Sequence, residues 1–366
     1  MIGVTAAALR HHALARTFFP PVDLQAAIAR LGFVQIDPLR APARAQDLIL
    51  RHRVAGYRAG DLDRQYGSLP LAEEFVHVQG VVPAATRRFL HPRVVERSWH
   101  VEREHPQLAT AMLAHIGRHG ATHPRDLARA FGRAAVVNGW GGRSSATTRM
   151  LEVLHYRGHL HVVRREDGIK VYALADPVVR PLGARMRFLR LLDLLLRLYA
   201  PLPVASLREL GRMAADESFA APAREALLAS FLRGDAVARA HLDGLEYVWP
   251  ADDPASGPVE DVVRLVAPFD PLVWDRRRFA HLHGWDYRFE AYTPAAKRRF
   301  GYYALPLVWR DKVVGWANVR REGAGVEVAT GFAGRAPAGR AYVRAFDAEV
   351  ARLTAFLVAP VPADRP

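Results

Sequence analysis

The sequence predicts an α+β fold in which tandem winged-helix (helix-turn-helix) modules precede a C-terminal β-rich domain. Three observations support this prediction. Between residues 119 and 180 a short helix, a turn, a longer helix and a basic hairpin follow one another. A similar order recurs from Met186 to Trp249, and beyond a linker at 252–258 strand-like segments alternate with turns. We therefore divide the chain into four regions, at 1–118, 119–180, 181–251 and 259–357.

The composition is that of a basic globular protein. Half of the 366 residues are hydrophobic and 24% are charged, which argues against general disorder. The chain has no cysteine, which excludes disulfides, a thiol nucleophile and Cys-ligated metals and fits a reducing compartment. The net charge of +14 favours an anionic polymer as partner. All but three of the 51 basic residues are arginine, which GC-rich codon usage alone would also explain.

The first region begins with helix signals. We predict a helix over Thr5–Thr17 and a second over Asp23–Leu31, capped by its first residue and stopped by the following glycine. A strand over Phe33–Asp37 and a helix over Ala43–Arg51 follow. The apolar stretch Ala72–Val82 comes next in this region.

The second region has the clearest module. We predict a helix over Asp126–Phe131, a turn at Gly139–Gly142, a helix over Ser144–Tyr156 and a hairpin at 160–172 with Asp167 and Gly168 in its turn. Residues 119–165 hold eight arginines against two acids, whereas 186–249 hold eight of each. Nucleic acid should therefore prefer the second region. The last region should alternate strands and turns from Val262 to Arg320 and close with a helix over Ala341–Phe356.

In a winged helix the second helix enters a DNA groove while the wing touches the backbone. The candidate DNA contacts in this module are Arg143, Thr147, Thr148 and Arg149 on the helix and Arg164 and Arg165 on the wing. The alternative is that they form the solvated face of a packing module.

A polar pair in the first region is the candidate catalytic motif. Along a strand, Phe33, Gln35 and Asp37 share one face, while Val34 and Ile36 point into the core. The proline that follows keeps the aspartate extended and near a strand end, where it can meet a ligand. The alternative is turn chemistry, in which the aspartate bonds the backbone near that proline and the glutamine is solvated.

Three stretches together resemble the AlkZ/YcaQ family of bacterial alkylpurine and interstrand-crosslink DNA glycosylases. They are Val34–Leu39 continued by Ala45–Arg51, then Glu73–Pro83, and then Ala267–Arg276 continued by Tyr292–Arg298 and Gly301–Pro306. The resemblance implies winged helices and a β-rich domain arranged around duplex DNA.

The family's catalytic motif is Gln-x-Gln or Gln-x-Asp, which the resemblance places at Gln35 and Asp37. The aspartate form resembles the branch that accepts varied N7-alkylated purines and unhooks crosslinks. His77 matches a family position, whereas Phe75 stands where many members have tryptophan. We take both as candidates for lesion or active-site contact, and the alternative for His77 is a structural histidine with satisfied hydrogen bonds. Lys297 and Arg298 lie in the C-terminal match, and we expect them to bind DNA.

A mechanism follows from these residues. An N7-alkylated purine is already cationic, so it leaves without being protonated, and charge develops at C1′ of the sugar. An ionised Asp37 would stabilise that charge and accept a proton from the attacking water, which Gln35 would hold through its amide. The rival chemistry is a lysine Schiff base with strand cleavage. We expect a monofunctional enzyme that leaves an abasic site.

Other functions stay open at this stage. The chain could be a winged-helix regulator without catalysis, or a protein that recognises damage and recruits others. His155, His159 and His161 could suggest a metal, but their spacing spans a helix end and favours phosphate contact or packing. We expect no cofactor and no metal, double-stranded DNA with alkylated purines as partner, a monomer, and a cytoplasmic, nucleoid-associated location without a membrane span.

Overall fold

The computed structural model describes residues 4–94, 98–137, 142–179, 181–216, 218–219, 223–253, 259–323 and 325–358. The helices in these ranges are α1 (Ala6–Thr17), α2 (Leu24–Leu31), α3 (Ala45–Leu50), α4 (Asp61–Gln65), α5 (Arg87–Leu90), α6 (His100–Glu104), α7 (Leu108–His119), α8 (Pro124–Phe131), α9 (Ala146–Tyr156), α10 (Ala184–Tyr199), α11 (Val204–Ala214), α12 (Arg224–Arg233), α13 (Pro271–Trp274), α14 (Arg276–His283) and α15 (Arg340–Leu357). The strands are β1 (Val34–Gln35), β2 (Leu71–Phe75), β3 (Gln79–Pro83), β4 (Ala135–Val137), β5 (Arg143–Ser145), β6 (Leu160–Glu166), β7 (Ile169–Leu174), β8 (Leu202–Pro203), β9 (Val237–Leu242), β10 (Leu245–Pro250), β11 (Val263–Leu265), β12 (Leu305–Trp309), β13 (Lys312–Glu322) and β14 (Gly325–Phe332). This mixture of helices and sheets confirms the α+β class.

The chain forms two compact units, and neither is continuous in sequence. The first unit comprises the described residues of 1–62, 194–209 and 233–366, and the second those of 63–193 and 210–232. The predicted division into four regions and the tandem winged-helix arrangement stay predictions. No helix in the described ranges combines the length and apolar character needed to cross a membrane.

The first unit contains two antiparallel sheets. One has the strand order β11-β12-β13-β14, and the other has the order β8-β10-β9. Helix α15 packs beside β11, and α1 lies against α13 and α14. The core of this unit includes Val266, Phe279, Trp285, Phe300 and Val308. This packing joins the N-terminal helix to the C-terminal segment.

The second unit is built from helices and hairpins. Strands β2 and β3 pair from Leu71 opposite Pro83, and β6 and β7 form the predicted hairpin. Asp167 and Gly168 have φ values of 51° and 83°, which the two central positions of a type I′ hairpin turn require. The predicted inward face of α9 is confirmed, because Ala146, Met150, Val153 and Leu154 are buried.

Local signals predict several helix ends well. Thr5 caps α1 by accepting a hydrogen bond from the Ala8 N–H, and Asp23 caps α2 by accepting one from Ala26. Gly32 ends α2 in the left-handed region at φ 74°, and an added Cβ would lie 2.5 Å from the Leu194 side chain. Glycine is therefore required there for two reasons.

Three predicted elements need correction. The strand predicted over Phe33–Asp37 is only Val34–Gln35, and the helix predicted from Ser144 begins at Ala146 because Ser145 is its N-cap. The stretch from Pro271 to His283 is helical rather than strand-like, since Asp270 and Asp275 each cap a helix start. The predicted turn at Gly139–Gly142 lies largely outside the described residues.

Candidate active site

The polar motif follows the glycine that ends α2. Phe33 and Val34 are both buried, so both faces of the short strand are covered where it begins. Gln35 is 9% exposed, whereas Asp37 is half-buried beyond the end of β1. The motif thus passes from the core towards the surface within five residues.

The amide of Gln35 has one defined orientation. The indole N–H of Trp274 donates to its Oε1 at 2.9 Å. Since an indole N–H can only donate, the amide oxygen must face Trp274 and the NH₂ group must point elsewhere. Among the described residues this NH₂ group makes no hydrogen bond, so it is available to donate to a ligand or a water.

Trp274 is held in place by the start of its own short helix. The Asp270 carboxylate caps α13 by accepting the Leu272 N–H at 3.0 Å. The same carboxylate forms a fully buried ion pair with Arg53, with distances of 2.8 and 3.0 Å. Arg53 also donates to the Thr17 carbonyl oxygen at 2.8 Å. The helix that carries Trp274 is therefore tied to the segment just after α3.

Two hydrogen bonds position Asp37. Its Oδ1 accepts the Leu39 N–H at 2.9 Å, which is the turn interaction expected beside a proline. Its own N–H donates to Oε1 of Gln46 on α3 at 3.2 Å. Within the described ranges Oδ2 accepts no hydrogen bond, so this oxygen is free to act as a base. The turn chemistry and the functional interpretation are thus compatible.

The environment of Asp37 shifts the pKa of its carboxyl group. Burial raises the pKa of the carboxyl above 3.8, and the hydrogen bond from Leu39 opposes the rise. Asp37 in turn adds to the effect of burial in raising the pKa values of Tyr292 and Tyr303. The Tyr303 hydroxyl is buried and has no hydrogen-bond partner in the described chain. Two tyrosines from the C-terminal region therefore lie within electrostatic reach of the carboxylate.

His77 and Phe75 belong to the second unit. His77 is buried, which lowers its pKa to about 3, so the imidazole is neutral near pH 7. The Phe75 ring packs edge-on against Tyr156 at 5.5 Å and lies 6.1 Å from His155. Both residues stay candidates for lesion contact.

The predicted DNA contacts in the second unit differ in exposure. Arg143 and Thr148 are exposed, whereas Arg149 pairs with Glu152. Thr147 is only 2% exposed, and its hydroxyl bonds to Ser145 at 3.0 Å. This burial favours a packing role for Thr147 over the predicted DNA contact.

The wing arginines also differ. The Arg164 side chain is 49% exposed and pairs with Glu166 at 2.7 Å. Arg165 is nearly buried and forms a bidentate pair with Glu73 at 2.7 and 2.8 Å. The guanidinium of Arg165 thus balances a buried carboxylate, which favours a structural role over the predicted DNA contact.

The C-terminal basic pair lies on the first unit. Lys297 is exposed at the end of a 3₁₀ turn, Ala295–Lys297. Arg298 donates to the Thr293 carbonyl oxygen at 2.8 Å and lies over the Tyr302 ring at 5.1 Å. In the ranges that the structure covers, no three His, Asp or Glu side chains are grouped to hold a metal ion.

Comparison with known proteins defines the class. The family described as DNA glycosylase AlkZ-like matches residues 28–356, and the chain belongs to this family of DNA-acting N-glycosyl hydrolases. Its fold is similar to that of Streptomyces sahachiroi DNA glycosylase AlkZ, with a TM-score of 0.60 and 15% identity over 98% of this chain and 99% of the other.

Sequence reasoning assigned no role to Trp274, Gln46, Tyr292 or Tyr303. All four lie in the stretches that carry the family resemblance. For Trp274 the sequence does contain one local signal, the Asp-Pro pair at 270–271. This pair is typical of a helix start and predicts a short helix that includes Trp274. Its contact with Gln35 spans 239 residues and has no local signature.

Proposed function

We propose that this chain is a monofunctional DNA glycosylase that hydrolyses the N-glycosidic bond of N7-alkylated purines. The observation that carries the proposal is the pairing of Gln35 with Asp37, two residues later. The Gln35 amide oxygen accepts from Trp274, and within the described ranges one oxygen of the Asp37 carboxylate accepts no hydrogen bond. An amide donor and a carboxylate acceptor are the groups needed to hold and deprotonate a water.

In the proposed reaction the bond between C1′ and the purine nitrogen breaks, and its electron pair neutralises the cationic base. The sugar develops positive charge, which the Asp37 carboxylate stabilises. The Gln35 NH₂ group donates to the oxygen of the attacking water. Water adds to C1′ and its proton passes to Asp37, which leaves an abasic site. The same bond attaches a crosslinked N7-alkylpurine to its sugar, so the proposal includes crosslink unhooking.

The rival lysine chemistry has weaker support. Lys170 is half-buried in the second unit and pairs with the buried Glu73 at 3.4 Å, whereas Lys297 and Lys312 are exposed. Borohydride should therefore trap no covalent complex with an N7-methylguanine duplex. Trapping, or strand nicking that disappears in Lys297→Ala, would establish the Schiff-base mechanism instead.

The exposed side chains of Arg143, Thr148 and Arg164, together with the half-buried Arg149, would hold the duplex through a winged-helix module. The competing proposal of a regulator without catalysis predicts sequence-specific binding to undamaged DNA and no base release. A protein that only recruits others would bind damage without releasing the base.

The test is a duplex with N7-methylguanine, followed by hot alkali to reveal abasic sites. We expect Asp37→Asn to reduce the single-turnover rate by about 10²- to 10⁴-fold. Asp286→Asn is the matched control, because Asp286 is exposed and pairs only with the neighbouring Arg288 in the described chain. The control should keep the wild-type rate.

The pH dependence adds a second readout. Because the pKa of Asp37 is raised above 3.8, the base form is lost as the pH falls through this higher value. The rate should therefore decline on an acidic limb that lies above pH 3.8, and Asp37→Asn should lack this limb. An unchanged limb in Asp37→Asn refutes the assignment of the base.

A further inference from the structure

The loop between α14 and β12 is fixed in shape by one carboxylate. Glu290 accepts backbone N–H groups of Arg299, Phe300 and Gly301 at 3.0, 2.7 and 3.3 Å. Asn318 on β13 donates to the Phe300 carbonyl oxygen at 2.7 Å. We call residues 290–303 the Glu290 loop. Its bonds hold both ends together, so the side chains between them are presented in a defined arrangement.

Tyr292 stands at the outside of the Glu290 loop. It is 81% exposed, the largest value among the large hydrophobic side chains of the described residues. Its one aromatic neighbour there is Phe289, edge-on with ring centroids 6.2 Å apart, and Phe289 packs on Tyr303 at 5.2 Å. A face of the Tyr292 ring is therefore open. Exposed rings of this kind suit base stacking.

Both positively and negatively charged side chains accompany Tyr292. Lys297, Arg298 and Arg299 follow it in the Glu290 loop and suit phosphate groups. After burial, the Asp37 carboxylate is the next largest cause of the raised pKa of the Tyr292 hydroxyl, so the proposed base lies within electrostatic reach of this side chain. A planar cation could thus meet a π face and a carboxylate together.

We propose that Tyr292 is a specificity-determining residue that stacks on the alkylated base beside Asp37 and favours purinium cations over neutral purines. This inference rests on the proposed function, because it takes the N7-alkylpurine as substrate. A cation over a tyrosine ring is attracted by the ring quadrupole, and a delocalised planar cation gains stacking area as well. Neutral purines gain the stacking but not the charge attraction.

The test uses two duplex probes that resist hydrolysis. One carries N7-methylguanine on a 2′-fluorinated sugar and is cationic, and the other carries 7-methyl-7-deazaguanine, which has the same shape and is neutral. Affinities are measured by fluorescence anisotropy at one salt concentration, since phosphate contacts make binding salt-dependent. Wild type should bind the cationic probe more tightly.

Three variants separate the contributions. Tyr292→Phe keeps the π face and should keep the preference for the cationic probe. Tyr292→Leu keeps apolar bulk without a ring and should reduce that preference by about 2- to 30-fold, the range of cation–π energies from exposed to desolvated sites. Lys297→Ala should weaken both probes equally, because it removes only a phosphate contact. An unchanged preference in Tyr292→Leu overturns the proposal.

Failure of this inference is distinguishable from failure of the proposed function. The probes report binding without base release, whereas the proposed function requires release from an unmodified N7-methylguanine duplex. If wild type releases the base but Tyr292→Leu keeps the full cation preference, only the role of Tyr292 is wrong. If wild type releases no base, the proposed function is wrong, whatever the probes show.

Discussion

Replacing Trp274 by phenylalanine tests whether the Gln35 amide must be oriented. The substitution keeps one aromatic ring near Tyr199, whose ring centroid lies 5.2 Å from that of Trp274. It removes the N–H that donates to Gln35 at 2.9 Å, together with the second ring of the indole. Without this donor the amide can rotate, so that its oxygen instead of its NH₂ group faces the water. We expect base release to slow while DNA affinity stays the same.

The magnitude follows from one hydrogen bond. A typical hydrogen bond contributes about 0.5–1.5 kcal/mol, so losing it in the transition state corresponds to about a 2- to 13-fold slower rate. The assay is single-turnover release of N7-methylguanine with enzyme in excess, which isolates the chemical step from product dissociation. Binding is measured separately with a non-hydrolysable duplex.

A double-mutant cycle decides whether Trp274 acts through Gln35. In a Gln35→Ala background no amide remains to be oriented, so Trp274→Phe should then have little further effect on the rate. If Trp274→Phe slows the reaction by the same factor in both backgrounds, the two residues act independently and the orientation argument is refuted.

Two stability predictions concern buried polar groups. Glu73→Gln should lower the free energy of unfolding by about 3–5 kcal/mol, because it leaves Arg165 and Lys170 without their buried partner. Burial raises the pKa of Glu73, but these cations outweigh it and hold the value below 4.5, so this stabilisation is present above pH 4.5 and is lost as the pH falls through the lower folded-state pKa. Urea denaturation at pH 7 and at falling pH measures both effects, and equal stability of variant and wild type contradicts them. Tyr303→Phe should change stability by less than about 1 kcal/mol, because its hydroxyl has no hydrogen-bond partner among the described residues. Tyr66→Phe breaks hydrogen bonds of 3.2 and 2.8 Å and should cost about 1–3 kcal/mol. The reverse order in thermal or urea unfolding would show that the Tyr303 hydroxyl is bonded.

Elements with local signals could be predicted from the sequence. Helix α2 is bounded by Asp23 and Gly32, each of which acts through its own cap geometry. The β6–β7 hairpin follows from the Asp-Gly pair, which supplies two positive φ angles. In these cases the information lies within three or four residues, so no tertiary contact is needed to interpret it.

Short helices were harder. Helix α13 has four residues, fewer than the span over which a helical period can be recognised. Its apolar residues therefore predict a strand as readily as a helix. Its caps were visible, but a cap without a following periodic pattern is weak evidence. The burial of Thr147 and Arg165 was equally inaccessible to sequence, because each depends on which face of its element packs inward.

The candidate site also depends on tertiary contacts that local sequence does not predict. Gln35 and Asp37 are close in sequence, yet each acquires its environment from elsewhere. Trp274 donates to the amide, and Tyr303 lies within electrostatic reach of the carboxylate. The buried Arg53–Asp270 pair fixes the helix that carries Trp274. Since buried ion pairs add little net stability, a role in specifying geometry is the better explanation for this one. A Gln-x-Asp pattern alone is therefore a weak signal, because the same two residues without the 270–303 segment would have neither an oriented amide nor a shielded carboxylate.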